Sequence, residues 1–441
     1  MVMKTTALIS YGCAKNLIDS EVMLGYLNEA GYVSMANPEE ADIIIINTCG
    51  FIKPAKEESL DALRKAVHLK KKRKEKKVIA VGCFVERYKN SLEKKFPQID
   101  AWLGVNDFDK IVQAIEDRPF EKSKECFLYN HTSPRRLSTP PGWAYLKISE
   151  GCSHECSFCS IPLIKGPYRS RPASSILKEA QHLASRKIKE INIVSQDTTY
   201  YGKDKGLKNK LPLLLKRLVK IKGVEWIRIL YGYPEEISDS LLEVMKESKI
   251  CPYLDIPFQN SDPKIIKEMK RGMDGKRALK LIEKIRYKIP EIALRTSLVV
   301  GFPGEGKKEF QGLKEFVQEA KFDHLGVFIY SLEEGTSAFV LGDSVKEKEK
   351  IKRKEEILTI QAEISFQNNL KYLHQQMDVL IEGTLKKDPS LLVGRTKFQA
   401  PEVDGVVFIS FSGEISKVVN TIQKVEIDDC DEYDLYGRFI Q

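Results

Sequence analysis

Residues 143–162 read WAYLKISEGCSHECSFCSIP, and the reading of the whole chain turns on them. An apolar-rich run of strand character leads into Cys152, Cys156 and Cys159, spaced C-x3-C-x2-C. Thiols this close, on a loop leaving a strand, can converge on one soft metal centre. A structural zinc site wants four closed ligands, commonly as two C-x2-C pairs, and no second pair follows here. A [4Fe–4S] cluster held by three thiolates leaves one iron open for chemistry. An iron–sulfur cluster, a zinc ion and unrelated buried thiols are the three readings of the spacing, in that order.

Downstream, the alternation of strand and helix repeats. Residues 143–149, 190–195, 225–231, 252–257, 292–300 and 325–331 have strand character, and charged amphipathic segments such as 172–186 and 276–287 separate them. Parallel strands with helical crossovers predict a partial β/α barrel, whose chemistry sits at the carboxyl ends of the strands. That edge makes candidates of Ser195, Gln196, Asp197, residues 231–233, Gln259 and the segment GFPGE at 301–305. A plain turn is the other reading of GFPGE.

Upstream, TTALISYGC, DIIIINTC and KVIAVGC read as three strands of a parallel sheet, and they end on Cys13, Cys49 and Cys83. The carboxyl ends of parallel strands share one edge, so three thiols far apart in sequence can meet there. Three buried core cysteines are the bland alternative. Residues 64–77 carry a basic run that suits a solvated helix end or a contact to RNA. Arg169 and Arg171 in YRSRP suit either an anionic ligand or pairing inside the barrel. Residues 118–141, with Cys126, read as a linker.

The C-terminal part opens with a long charged helix, after which residues 374–441 alternate apolar and polar positions between turn residues, as a small β-barrel does. The expected class is α/β, in four parts. These are a parallel-sheet α/β domain at 1–118, a partial (β/α)6 barrel at 140–345, a linker helix at 346–373 and a small all-β barrel at 374–441. A chain of 441 residues has room for several domains, and its nine irregularly placed cysteines do not form a secreted disulfide framework. No wholly apolar run, 43–46 included, exceeds four residues, and none can span a bilayer, so a soluble, cytoplasmic protein with no membrane partner is expected. The net charge of +9 suits a polyanionic neighbourhood.

The motifs also carry a resemblance. C-x3-C-x2-C with Phe158 before the last cysteine resembles the radical S-adenosylmethionine (SAM) signature, and CSFCSIPLIKGPYRSRP narrows it to the methylthiotransferases. GCAKNLIDSE, at 12–21, resembles the start of their N-terminal domain, where three cysteines hold an auxiliary [4Fe–4S] cluster. The Lys-Asn pair and DIPFQN, at 255–260, resemble the branch that modifies a ribosomal protein rather than the tRNA branch. Ala14 and Asn260 depart from that branch's usual proline and histidine. The C-terminal module resembles a TRAM domain.

The resemblance implies two [4Fe–4S] clusters, on Cys152/Cys156/Cys159 and on Cys13/Cys49/Cys83, and two molecules of SAM. Phe158, Ser195, Gln196, Gly301, Pro303 and Gly304 would contact SAM. The implied product is a methylthio group on the β-carbon of an aspartate in the twelfth protein of the small ribosomal subunit, free or within the ribosome. An external electron donor and a sulfur donor are implied partners. The alternatives are a tRNA methylthiotransferase acting on isopentenyl-adenosine, and a non-catalytic iron–sulfur protein that binds RNA or carries electrons.

Charge bears on the choice. Residues 374–441 hold seven Lys and Arg against twelve Asp and Glu, a balance of −5 in an otherwise basic chain. A module that grips tRNA should be basic. This one suits a basic protein, and Asp428, Asp429, Asp431 and Glu432 are its expected substrate contacts.

Overall fold

Runs of β-branched residues build the first sheet. The computed structural model describes residues 4–121, 123–125 and 127–440, so Cys126 lies outside the described residues. Strands β1 (Thr5–Ser10), β2 (Val33–Ser34), β3 (Ile43–Thr48), β4 (Lys77–Gly82) and β5 (Ala101–Leu103) lie in the order β2-β1-β3-β4-β5 and pair in parallel. Every residue of β3 is buried, as expected for a central strand covered on both faces. Helices α1 (Ala14–Glu29), α2 (Lys53–Lys72), α3 (Cys83–Lys95) and α4 (Ile111–Ile115) supply the covers. Ile45, Ile79 and Val81 pack on one face with Met23, Leu27 and Phe108, and Ile44, Ile46 and Val78 pack on the other with Leu63 and Val85. Each such fully buried side chain contributes about 1.5–3 kcal/mol.

The chain continues through β6 (Trp143–Lys147) into the cysteine stretch. There β7 (Ser149–Glu150) pairs antiparallel with β8 (Arg169–Ser170), and helix α5 (Ile161–Lys165) lies between them. After α6 (Ala173–Ser185) come β9 (Glu190–Val194), α7 (Lys210–Leu218), β10 (Trp226–Ile229), α8 (Asp239–Val244) and β11 (Ile250–Asp255). Helices α9 (Pro263–Glu268) and α10 (Gly275–Lys288), β12 (Ala293–Val300), α11 (Lys307–Ala320) and β13 (His324–Ile329) follow. The sheet order β13-β12-β11-β10-β9-β6 runs through the strands in chain order, an open, partial β/α barrel. Helix α12 (Glu347–Leu370) then leads to a closed barrel of β14 (Gln376–Leu385), β15 (Asp388–Arg395), β16 (Val407–Ser410), β17 (Ile422–Cys430) and β18 (Leu435–Phe439).

Contacts divide the chain into two units. One holds residues 4–138, 147–176 and 331–339, and the other holds 139–146, 177–330 and 340–440. In the first, the stretch expected to be a linker is tied down on α1. Arg135 pairs with the fully buried Glu21 at 2.6 Å, and the Ser138 amide donates to the same carboxylate at 2.7 Å.

In the second unit, residues 395–404 lie across the amino ends of the large sheet. Arg395 pairs with Glu190, the first residue of β9, at 2.6 Å, and its guanidinium stands over Trp143, the first residue of β6. Arg228 on β10 also holds Glu190, at 2.8 Å, and donates to the carbonyls of Thr396 and Lys397. Tyr145 donates to Glu402, and Tyr253 to Asp404, each at 2.7 Å. The small barrel thus docks at the amino ends through residues 395–404, away from the carboxyl edge.

Candidate active site

In the first unit the cysteine-bearing strands β1, β3 and β4 are neighbours, so their carboxyl ends meet. Cys13 caps α1, Cys49 follows β3 directly, and Cys83 opens α3. A methyl group placed on Gly12 would sit 3.0 Å from Cys49 Cβ and 3.1 Å from its Sγ. That approach, with φ of +97°, restricts position 12 to glycine. Asn16 on α1 links the three ends: its Oδ1 lies 3.4 Å from Cys83 Sγ, and its amide donates to the carbonyls of Tyr11 and Thr48. Burial pushes the Cys49 thiol up to about 11, and negative charge on Cys13 adds to the rise. Burial also pushes the Cys83 thiol up, and the Lys165 ammonium opposes it. Metal loading at these thiols therefore displaces protons.

The second triplet sits on the loop between β7 and α5. Gly151 turns into this loop with φ of +82°, and any Cβ there would lie 2.2 Å from the Pro167 carbonyl oxygen. The Cys152 amide donates to Gly166 O and the Cys159 amide to Cys156 O, each at 3.1 Å, so the loop is closed on itself. Ala338 donates to Ser157 O at 2.7 Å, which holds the segment 331–339 on the loop. Cys152, Cys156, Phe158 and Cys159 are all half-buried. None of the six cysteines is in a disulfide. Among the described residues, no three His, Cys, Asp or Glu side chains are gathered as a metal ion would require. Each triplet is nonetheless an all-thiol set of three, a composition that fits an iron–sulfur cluster.

At the root of that loop lies a group of charges that motif reading did not single out. Lys147 pairs with Asp19 at 2.5 Å and with Glu150 at 2.7 Å, and all three are buried. Burial alone would lower the Lys147 pKa, but the two carboxylates outweigh it and hold the ammonium above its ordinary range. Arg171 is buried as well. It donates to Lys147 O and Ser175 Oγ and stacks 4.2 Å from the Tyr129 ring centroid, so it pairs internally rather than facing a ligand. Arg169 instead pairs with Glu125 at 3.2 Å.

In the second unit the candidate residues trail the strands as expected. Ser195, fully buried, accepts from the Asp197 amide at 3.2 Å. Asp197 accepts from the Thr199 and Tyr200 amides, so its carboxylate caps the turn at 198–200. Gln196 is half-buried at the same edge. Gly301 has φ of +75°, and a Cβ there would meet the Lys350 stem at 2.4 Å; Pro303 is buried and Gly304 exposed.

Glu305 organises this segment. Its Oε1 accepts from the Gly301 amide at 2.7 Å and from Arg353 at 2.8 Å, while Oε2 accepts from Asn260 at 3.0 Å. Asn260, given no task by its sequence, thereby stitches DIPFQN to GFPGE. Asp255 does similar work beside it, accepting from the Tyr231 amide at 3.2 Å and pairing with Arg295 at 3.1 Å.

The acidic residues of the small barrel are not brought to this edge. Asp428, Asp429 and Glu432 are exposed on β17 and the turn after it. Asp431 is committed to that turn and accepts from the Tyr433 and Asp434 amides and the Tyr436 hydroxyl.

Three family descriptions match this arrangement: "Uncharacterized protein family UPF0004" over residues 5–104, "Radical SAM superfamily" over 146–317 and "TRAM domain" over 375–440. Ribosomal protein uS12 methylthiotransferase RimO of Aquifex aeolicus (strain VF5) is 46% identical across 98% of this chain and 96% of its own. The protein of the same name from Pelobacter propionicus is 43% identical across 98% of this chain and 97% of its own. The chain belongs to the RimO family. RimO relatives and the radical SAM match make it a radical SAM methylthiotransferase that uses an iron–sulfur cluster and SAM. Among solved structures, the radical SAM methyltransferase TsrM from Kitasatospora setae matches with a TM-score of 0.54 at 12% identity, over 75% of this chain and 73% of that one. At that identity the likeness concerns the fold alone, and it agrees with the RimO assignment.

Proposed function

We propose that this enzyme methylthiolates the β-carbon of an aspartate in ribosomal protein uS12, using two [4Fe–4S] clusters and two molecules of SAM. The observation that carries the reading is kinship over nearly the full length with uS12 methylthiotransferases. Cys152, Cys156 and Cys159 hold one cluster, and Cys13, Cys49 and Cys83 hold the auxiliary one. When bound and reduced, a cluster with one open iron supplies the electron that splits SAM, giving radical chemistry able to act on an unactivated C–H bond.

The protein's own residues prepare the rest. Phe158, Ser195, Gln196, Gly301, Pro303 and Gly304 bind SAM, and Glu305 fixes the backbone of the glycine segment through the Gly301 amide. Asp428, Asp429, Asp431 and Glu432 belong to the surface that meets uS12. The working modules are 1–118, 140–345, the helix 346–373 and 374–441. An external reductant and a sulfur donor serve the reaction in the cytoplasm. Among the described residues no helix is long and apolar enough to cross a membrane.

The test is incubation of anaerobically reconstituted protein with SAM, a low-potential reductant and sulfide, with uS12 or tRNA as acceptor. Mass spectrometry is expected to find a methylthio group on one uS12 aspartate and none on tRNA nucleosides. Modified tRNA beside untouched uS12 would overturn the assignment.

A further inference from the structure

Asp19, Lys147, Glu150 and Lys165 close a ring of alternating charge. Lys147 bridges Asp19 and Glu150, and Lys165 completes the circuit at 3.1 Å from Asp19 and 3.5 Å from Glu150. No member's side chain is more than 2% exposed. Removing four charges from water is costly, and well-packed apolar residues often serve stability as well or better. The ring's place suggests another use. Glu150 and Lys165 flank the loop that carries Cys152, Cys156 and Cys159, and Asp19 sits on the helix that Cys13 caps. Ile164, next to Lys165, packs in the same core cluster as Cys83 and Phe108, and Lys165 Nζ stands 5.3 Å from the Phe108 ring centroid.

We propose that this ring is a positioning device for the reaction. It roots the cysteine loop on α1, and its balanced charge sets the reduction potential of the cluster held by Cys13, Cys49 and Cys83. The inference rests on the assignment of that triplet proposed above. Net charge around an iron–sulfur cluster is one of the levers on its potential. Loss of a nearby cation makes the added electron less welcome, and loss of a nearby anion does the reverse.

The experiment is an EPR-monitored redox titration of the reconstituted full-length protein, with iron measured per chain. A background carrying Cys152→Ala, Cys156→Ala and Cys159→Ala isolates the auxiliary signal. Lys165→Met is expected to lower that cluster's potential, Asp19→Asn to raise it, and the double variant to return it near the wild-type value at unchanged iron content. Loosened packing alone would push both single variants the same way, and the double further. Full iron with unmoved potentials, or shifts of one sign, would overturn the ring's role. Should either single variant lose iron, the charge-balanced double must recover it; a double as depleted as the singles also counts against the proposal. Iron bound only at Cys152, Cys156 and Cys159 in the wild type would remove the cluster assignment itself, and this proposal with it.

Discussion

Glu305 is a carboxylate held out of water by three donors. It is 3% exposed, and its partners are the Gly301 amide, the Asn260 amide and Arg353. Burial raises its pKa, and the hydrogen bonds from Gly301 and Arg353 recover only part of that shift. Breaking a buried ion pair from one side is more damaging than replacing it whole, because the orphaned charge keeps its desolvation cost. Arg353→Met should therefore destabilise the fold by about 3 kcal/mol at neutral pH. The sign of the pH dependence follows from the raised pKa. The folded state binds this proton more readily than the unfolded state, so falling pH favours folding through Glu305. In the variant Glu305 loses a cationic partner and rises further, so the deficit should shrink as the pH is lowered. Urea midpoints of wild type and variant from neutral to mildly acidic pH test this; a gap constant with pH would place the loss elsewhere, in the Glu349–Arg353 pair for example.

At the scale of elements, the segment 395–404 joins the C-terminal barrel to the large sheet through charge rather than an apolar seam. Glu190 stands at its centre, fully buried and shared by Arg228 and Arg395. Despite burial, the two guanidinium groups hold its carboxyl below the ordinary range. Glu190→Gln leaves two buried guanidinium groups with one anionic neighbour, Glu382 at Arg395, and should cost about 3–5 kcal/mol. Tyr253→Phe removes only the hydroxyl that meets Asp404, and should cost about 1–2 kcal/mol. Denaturant unfolding of both variants checks the ranking, and equal losses would contradict it. This joint also shows what the sequence could and could not convey. The isoleucine run 43–46 of β3 and the cysteine at 49 were legible, because a strand covered on both faces announces itself in composition. In α1 the buried Ile18, Val22, Met23 and Leu27 recur at helical spacing, but the same helix also buries Lys15, Asn16, Asp19, Ser20 and Glu21. Periodicity assigns such polar positions to the wet face, and the partners of Asp19 and Glu21, at 135, 147 and 165, stand more than a hundred residues away. Glu190 and Arg395 were hidden for the same reason. Two-residue strands such as β2, β7 and β8 are too short to show a period at all.

For the molecule as a whole, the uneven charge is the remaining clue to how a substrate arrives. The chain carries +9, yet its last 68 residues, 374–441, carry −5. A ribosomal protein that packs against RNA phosphate is itself basic, so an acidic module is suited to meet it. Because this module docks at the amino ends of the strands, its acids do not reach the carboxyl edge where SAM is proposed to bind. Their action would be steering over distance, and that belongs to the association rate rather than to the chemical step. A solubilising surface without a partner is the competing account. The structure refines which residues can distinguish the two. Asp431 must be spared, since its carboxylate holds the turn between β17 and β18. Asp428 shares Arg438 with Glu426, Asp429 is exposed and accepts from the neighbouring Cys430 amide at 2.9 Å, and Glu432 is exposed. The triple variant Asp428→Lys, Asp429→Lys, Glu432→Lys should fold as wild type does. It should associate with uS12 about tenfold more slowly at low ionic strength, with little change in the rate of the bound complex. The gap should close as salt shortens the Debye length below about 8 Å. Stopped-flow association and single-turnover modification across a salt series separate these quantities. An unchanged association rate would leave the acidic face a solubility feature, and a slowed bound-state rate with normal association would move these residues into the site itself.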